Sequence, residues 1–509
     1  PSRAATGLSG SRFAPPGRLS GLELGALLAV LTVCRLLQAQ SIPIYDDAFI
    51  SFRYARNLAD GLGLVYNPGA PWEPVLGTTS PGYTVLLAGL RALGFDLPAA
   101  SCAFNLACDI ASAVLLVQLL GRRPAVATAA LLVFASMPEI ARISGGGMEP
   151  PLLVAMVLGA TWLAERGRLA SAGTVAALAC TVRPEAVLLV GALALFHARD
   201  ARSAMRLLAP SLVIGTAVAL ALWWGYGHPI PQSVRAKAGA RGLRPRAWRV
   251  REVLEQAFAS SAAMVACMPL AAAGFWILFR RRLPLRAFAL FALAVPAAYL
   301  GAGIKTWGWY YYATLVAWAA AVGLAVDALM GRVARRHPGL AFDLARPHAP
   351  LVLGALAVLA VAVYTWSQPD EVTPGIYEPM ARWAREERIA ERGATIAASD
   401  IGAIGYYSDG RILDTEGLVW PEAKEYRNPS AVIRSEEPDY AMFVATRWRL
   451  GTFMSDPVSV KYEPVARFTT IPNLDVLPDM AVLQPGWRQD YVLFERRGAR
   501  EDRGGGSGR

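Results

Sequence analysis

The stretch SIPIYDDAFISFRYARNLADG, residues 41–61, follows a long apolar run and sets two adjacent carboxylates, Asp46 and Asp47, at its edge. Read as a helix, it places Asp46, Ile50, Arg53 and Asn57 at i, i+4, i+7 and i+11, on one face that is polar except for Ile50. Asp47, Ser51 and Tyr54 form the neighbouring stripe. A carboxylate at a membrane boundary, kept ionised by a nearby arginine, is suited to act as a general base. Acidic residues are equally favoured in the first turn of any helix, and Arg53 can simply touch lipid headgroups. The spacing alone serves both readings.

What surrounds the stretch points to the fold. Of the 509 residues, 54% are hydrophobic and only 17% charged, where a soluble domain carries about a quarter charged residues. Apolar runs recur through the first three quarters, many of them near the roughly 20 helical residues that a bilayer needs. We predict eleven spans, at 21–40, 98–120, 124–140, 150–164, 169–182, 184–198, 203–225, 260–280, 285–303, 310–331 and 350–367. The first has Arg12 and Arg18 before it and a weak cleavage-like sequence at Ala39 to Ser41, and is read as a retained anchor.

Basic clusters occupy alternate connections: Arg122 and Arg123; Arg166 and Arg168; Arg199, Arg202 and Arg206; Arg280 to Arg282; Arg332, Arg335 and Arg336. The positive-inside rule puts those connections in the cytoplasm. Arg183-Pro184-Glu185 divides the apolar stretch 169–198, and reading that stretch as one bent helix would turn the later clusters outward. Two short helices meeting near the outer side are therefore expected, with the N-terminus cytoplasmic and the C-terminus outside. Residues 41–97 then form a first extracytoplasmic loop, in which 46–60 and 80–94 read as amphipathic helices at the interface.

Past Pro369 the pattern becomes soluble. MARWAREERIAERG, residues 380–393, reads as a charged helix, and TIAAS, DYAMFVAT, SVKYEPVARFTT and YVLFERR read as strands, around turn signals such as Ser408-Asp409-Gly410. The expected organisation is a transmembrane domain over 1–368, an extracytoplasmic α/β domain over 369–503, and a linker or tag scar, GGGSGR, over 504–509.

Composition also excludes. The net charge of +11 lies mostly in the short clusters between spans, so no nucleic-acid partner is expected. All five cysteines fall inside apolar segments, which argues against a disulfide framework. The four histidines have no zinc spacing, and neither a P-loop nor a GxSxG elbow occurs.

Further candidates line the predicted outer side. GLVYNPGAPWEPVLGTTSPGYT, residues 63–84, contributes Glu73, for which Gly- and Pro-rich turn structure is the plainer reading. ARISGGGMEPPLL, residues 141–153, sets Glu149 after three glycines, whose N–H groups can hold an anion or sugar hydroxyl or merely form a hinge. Arg183 and Glu185 are ionisable groups in an apolar hairpin, either functional or a mutually neutralising pair. The loop GYGHPIPQSVRAKAGARGLRPRAWRVR, residues 225–251, breaks the positive-inside pattern with Arg235, Lys237 and five further arginines. Cations placed there suit a lipid-linked phosphate or anionic headgroups. Lys305 with Trp307, Trp309 and Tyr310 to Tyr312 reads as an interfacial aromatic belt or a sugar-stacking surface.

The ordered set YDDAFISFRYARNLADGLGLVYNPG, GTTSPGYTVLLAGL, SGGGMEPPL, TVRPEAVLL and HPIPQSVRAKAG, with SDIGAIGYYSDGRILDTEGL in the tail, resembles the GT-C superfamily of membrane glycosyltransferases. Within it the chain looks most like actinobacterial arabinofuranosyltransferases that use a polyprenyl-phosphate arabinose donor, and more loosely like polyprenyl-phosphomannose-dependent mannosyltransferases. The resemblance implies a GT-C type polytopic helical fold in a bacterial plasma membrane. It also implies an inverting transfer from a polyprenyl monophosphate to an extracytoplasmic glycan or glycoconjugate. On that footing Asp46 is the first choice of base, with Asp47 positioning the donor sugar or exchanging roles with it. Arg53, Arg183, Arg235 and Lys237 fall to the donor phosphate and its neighbouring carboxylate, and Asn57, Glu73, Glu149 and Glu185 to substrate hydroxyls. No cofactor is required, although two adjacent carboxylates can bind a divalent cation. A transporter or a non-catalytic glycan-binding protein would share parts of this pattern, the former with internal repeats that are not seen here.

Overall fold

The computed structural model describes residues 18–39, 42, 44–69, 74–121, 123–239, 246–259, 261–304, 306–336, 349–367, 376–445, 448–469 and 490–499. Glu73, Lys305 and the tail 504–509 lie outside the described residues.

The helices run α1 (Gly21–Ala39), α2 (Asp46–Ala59), α3 (Pro81–Ala92), α4 (Leu97–Leu119), α5 (Pro124–Ser136), α6 (Pro138–Gly145), α7 (Pro150–Glu165), α8 (Leu169–Val182), α9 (Val187–His197) and α10 (Ala201–Tyr226). There follow α11 (Gln232–Gly239), α12 (Arg246–Phe258), α13 (Ala262–Arg280), α14 (Arg286–Ala302), α15 (Tyr312–Arg336) and a further apolar helix, Ala349–Ser367. Among the described residues, five segments are long and apolar enough to cross a bilayer, and the pair α5 and α6 makes a sixth, bent by 62° at the break. Five shorter apolar helices occupy the remaining predicted positions, so each of the eleven expected spans has a helix. Exposed Leu212, Val213, Leu220, Trp223 and Trp224 on α10 give it a face suited to lipid.

The bend between α5 and α6 shows how charge is accommodated among apolar helices. Pro138 opens α6 and has no N–H to continue the ladder. Arg35 of α1 takes up two carbonyls at the end of α5, donating to Phe134 O at 2.7 Å and Ala135 O at 2.9 Å. Its charge is met by Asp109 of α4 at 2.9 Å, which also accepts from Ser144 Oγ at 2.8 Å and from the Tyr312 hydroxyl. A buried charge is tolerable only when paired and hydrogen-bonded, and here one group ties α1, α4, α5, α6 and α15 together. Periodicity did not single out Asp109, because an isolated acid in an apolar helix has no local partner.

The C-terminal domain holds a five-stranded sheet in the order β2-β1-β3-β5-β4: β1 is Thr395–Ala398, β2 Arg411–Asp414, β3 Tyr440–Val444, β4 Tyr462–Thr469 and β5 Asp490–Arg496. β1 pairs in parallel with β2 and β3, while β5 runs antiparallel to β3 and β4. The four strand-like stretches coincide with β1, β3, β4 and β5. β2 was not foreseen: Arg-Ile-Leu-Asp is too short to show alternation, and its place in the sheet is set by pairing with β1. The charged helix forms over Tyr377–Glu386, beginning three residues earlier than the sequence pattern suggests.

Candidate active site

The predicted helix at the opening stretch is α2, with Asp46 and Asp47 in its first turn, where carboxylates complement the helix dipole. Its polar stripe faces protein: Asp46, Ile50, Arg53 and Asn57 are all buried. What covers the stripe is the short helix Gly402–Ser408 of the C-terminal domain. Asp46 Oδ2 accepts from Gly402 N at 2.9 Å and Oδ1 from Ala403 N at 2.8 Å. One helical face further on, Arg53 donates to Gly405 O and Gly410 O, both at 2.8 Å, and Arg56 donates to Tyr406 O at 2.8 Å and pairs with Asp409. Tyr66 carries the Arg53 guanidinium 4.3 Å above its ring and donates its hydroxyl to Ile401 O.

These contacts correct two expectations and bear on a third. Arg53 is committed to backbone carbonyls and is only 2% exposed, so it does not serve a donor phosphate. Asn57 donates to Val65 O and Tyr66 O, fixing the loop that follows α2 instead of a substrate. Asp46 is buried, with each carboxylate oxygen accepting one backbone N–H. Burial pushes its pKa up to about 7, with Asp400 and Asp47 adding to the rise and the two backbone donors opposing it.

Asp47, one residue on and about 100° round the helix, is exposed. Its stripe continues through Ser51, whose hydroxyl lies 3.3 Å from Thr78 Oγ1, and Tyr54, whose hydroxyl accepts from Gly77 N at 2.7 Å. The segment 74–80 therefore walls the Asp47 side of α2. It also meets the basic loop, since Leu76 O accepts from Gln232 N at 2.9 Å at the start of α11. Arg235, one turn along α11, is exposed, and Lys237 lies on the same helix. Segment 74–80 thus touches both the Ser51 and Tyr54 part of α2 and the start of α11.

The remaining predicted residues come together. Arg183 donates to Glu149 Oε1 at 2.6 Å and pairs with Glu185; the three side chains are 3% to 8% exposed. The guanidinium stacks 4.4 Å over Tyr310, and Nη2 reaches the Tyr299 hydroxyl at 3.5 Å. Glu149, Arg183 and Glu185 therefore act as one unit of two acids on one base, and the neutralising alternative for Arg183 and Glu185 is the geometry found. An aromatic path joins this unit to α2: Tyr310 meets Trp309 edge-on at 6.1 Å, Trp309 lies 5.1 Å from Tyr45, and Tyr45 N donates to Gly146 O at 3.0 Å. The glycine turn before Glu149 is held through its carbonyls, by Asn105 on Ser144 O and Met148 O and by Tyr83 on Gly147 O.

Sequence reading missed Arg56, Tyr66, Asp400 and the Gly402–Gly405 segment as parts of this neighbourhood. The available signal was SDIGAIGYYSDG, whose paired glycines allow close approach. A Cβ on Gly402 would stand 1.7 Å from Asp46 O, and one on Gly405 1.8 Å from the Tyr66 hydroxyl. Among the described residues, no group of three His, Cys, Asp or Glu is placed to hold a metal ion.

Apolar helices, several of them short or broken, with a C-terminal five-stranded sheet domain docked on α2, share the overall fold of a solved membrane protein. Among solved structures, ArnT from Cupriavidus metallidurans bound to undecaprenyl phosphate superposes with a TM-score of 0.53 at 12% identity, covering 93% of this chain and 97% of that one. Its apo form gives 0.52 at 13% identity with the same coverage. The arabinosyltransferase EmbB from Mycobacterium smegmatis is a looser match, with a TM-score of 0.41 at 16% identity over 83% of this chain and 42% of that one. A domain of unknown function (DUF8728) matches residues 367–494. No curated protein sequence matches the chain.

Proposed function

We propose that the chain is an inverting glycosyltransferase that moves a sugar from a polyprenyl monophosphate to an acceptor on the outer side of a bacterial plasma membrane. The observation that carries this reading is the division of labour at the start of α2. Asp46 is buried, whereas Asp47 is exposed, and segment 74–80, which contacts Ser51 and Tyr54 on its stripe, also contacts the start of α11, the helix that carries Arg235 and Lys237. Asp47 is the base: it takes the proton from an acceptor hydroxyl, the oxygen attacks the anomeric carbon, and the bond to the phosphate oxygen breaks. The polyprenyl phosphate departs with the electron pair, stabilised by Arg235 and Lys237. A monophosphate leaving group can be neutralised by these cations, so the reaction is proposed to proceed without a metal. The undecaprenyl phosphate seen in the ArnT structure supports a donor of this lipid class.

Arabinofuranose is the first sugar to test and mannose the second. Purified protein in nanodiscs, supplied with decaprenyl-phosphate arabinose or polyprenyl-phosphate mannose and a glycan acceptor, should form product in chelator-treated buffer. Absence of transfer from either donor, or full activity in Asp47→Asn, overturns the reading.

A further inference from the structure

The polar stripe of α2 and the helix Gly402–Ser408 form a matched electrostatic pair. Asp46, in the first turn of α2, binds two N–H groups at the start of the short helix. Arg53 and Arg56, two to three turns later, bind carbonyls of Gly405, Tyr406 and Gly410 at and beyond its end. The two helices therefore run in the same direction, an arrangement whose dipoles repel. Hydrogen bonds from the first N–H groups to Asp46, and Arg53 and Arg56 on the last carbonyls, offset it at the two ends. Contact is close enough that neither Gly402 nor Gly405 can carry a side chain without displacing α2 atoms. Tyr66 fastens Ile401, and Phe49 of α2 lies 4.9 to 5.5 Å from the rings of Tyr377, Tyr406 and Tyr407.

We propose that Asp46 is a positioning residue for Asp47, and that the segment Ile401–Gly410 of the C-terminal domain is a structural component of the catalytic centre. The physical reason is adjacency. Both carboxylates belong to one helical turn, so anchoring Asp46 to Gly402 and Ala403 fixes the rotation and tilt of α2, and with them the direction of Asp47. The soluble domain thereby sets the aim of the base, in addition to any acceptor it binds. The inference rests on the assignment of Asp47 as base, but the clamp itself can be read without turnover.

The test uses the full chain in nanodiscs, with two variants that disturb the clamp by different means. Asp46→Asn sets an amide N–H against a backbone N–H, and Gly402→Ala forces the short helix and α2 apart while leaving every carboxylate chemically unchanged. Amide exchange at residues 402–408 should accelerate at least about tenfold in both. Transfer should fall roughly 100-fold in kcat, the cost expected of a misplacement near 1 Å, with KM within about threefold. The acidic limb of the pH–rate profile should persist in both variants, because the base is intact.

Unchanged exchange in both variants overturns the clamp. Accelerated exchange with unchanged kcat overturns the positioning role, as does loss of the acidic limb in Asp46→Asn, which would make Asp46 the base. If wild-type protein transfers nothing, the glycosyltransferase reading fails, and the exchange data still decide whether Asp46 holds the two domains together.

Discussion

Asp46 and Arg53, seven residues apart on one face of α2, grip opposite ends of the helix Gly402–Ser408. The stripe that looks like a catalytic face in the sequence is therefore a docking face, and the exposed carboxylate is its neighbour, Asp47.

Asp47→Asn keeps the size of the side chain and removes its basicity. Transfer should drop by about 10²- to 10⁴-fold, the usual contribution of a general base. Because Asp47 is exposed, the thermal midpoint in detergent should move far less than the activity. A matched loss of activity and stability would mean that Asp47 is structural.

Arg183→Leu leaves Glu149 and Glu185 facing one another without their cation. Removing one partner of a buried ionic group costs about 3–5 kcal/mol. Lysine cannot reproduce the two-sided fork, so Arg183→Lys should recover only part of the loss. Thermal unfolding of the purified variants checks both expectations, and a near-neutral Arg183→Leu would refute the three-residue unit.

Arg35 and Asp109 should be strongly coupled. Either Arg35→Met or Asp109→Leu alone strands a buried charge, at about 3–5 kcal/mol, whereas the double variant should recover much of that because neither charge remains. The Phe134 and Ala135 carbonyls that Arg35 satisfies set a floor on the recovery. A double-mutant cycle read by thermal unfolding measures the coupling, and additive losses would refute it.

The raised pKa of Asp46 gives stability a pH dependence of definite sign. The folded protein holds this proton up to about 7, while an unfolded aspartate releases it near 4. Between those values the folded state binds more protons, so the contribution of Asp46 to stability is full at low pH and declines as pH rises through the window. The thermal midpoint of wild type minus that of Asp46→Asn should fall from about pH 4 to about pH 7 and be flat above. A difference that grows with pH across this range would show that the carboxylate is stabilised as the anion.

Local chemistry determined much of this protein. Apolar length placed a helix at each of the eleven expected positions, because apolar surroundings demand a backbone whose hydrogen bonds are satisfied internally. The 3.6-residue period likewise separated Asp46 with Arg53 from Asp47 with Ser51. Tertiary structure decided which of the two carboxylates is exposed. Periodicity fixes the faces of a helix but not what covers them, and the cover for Asp46 comes from Gly402 and Ala403, some 350 residues away. The same holds for Arg183, whose partner Glu149 lies on another helix, and for Asp109, whose countercharge lies on α1. Each is a buried charge whose partner only the packed fold could supply.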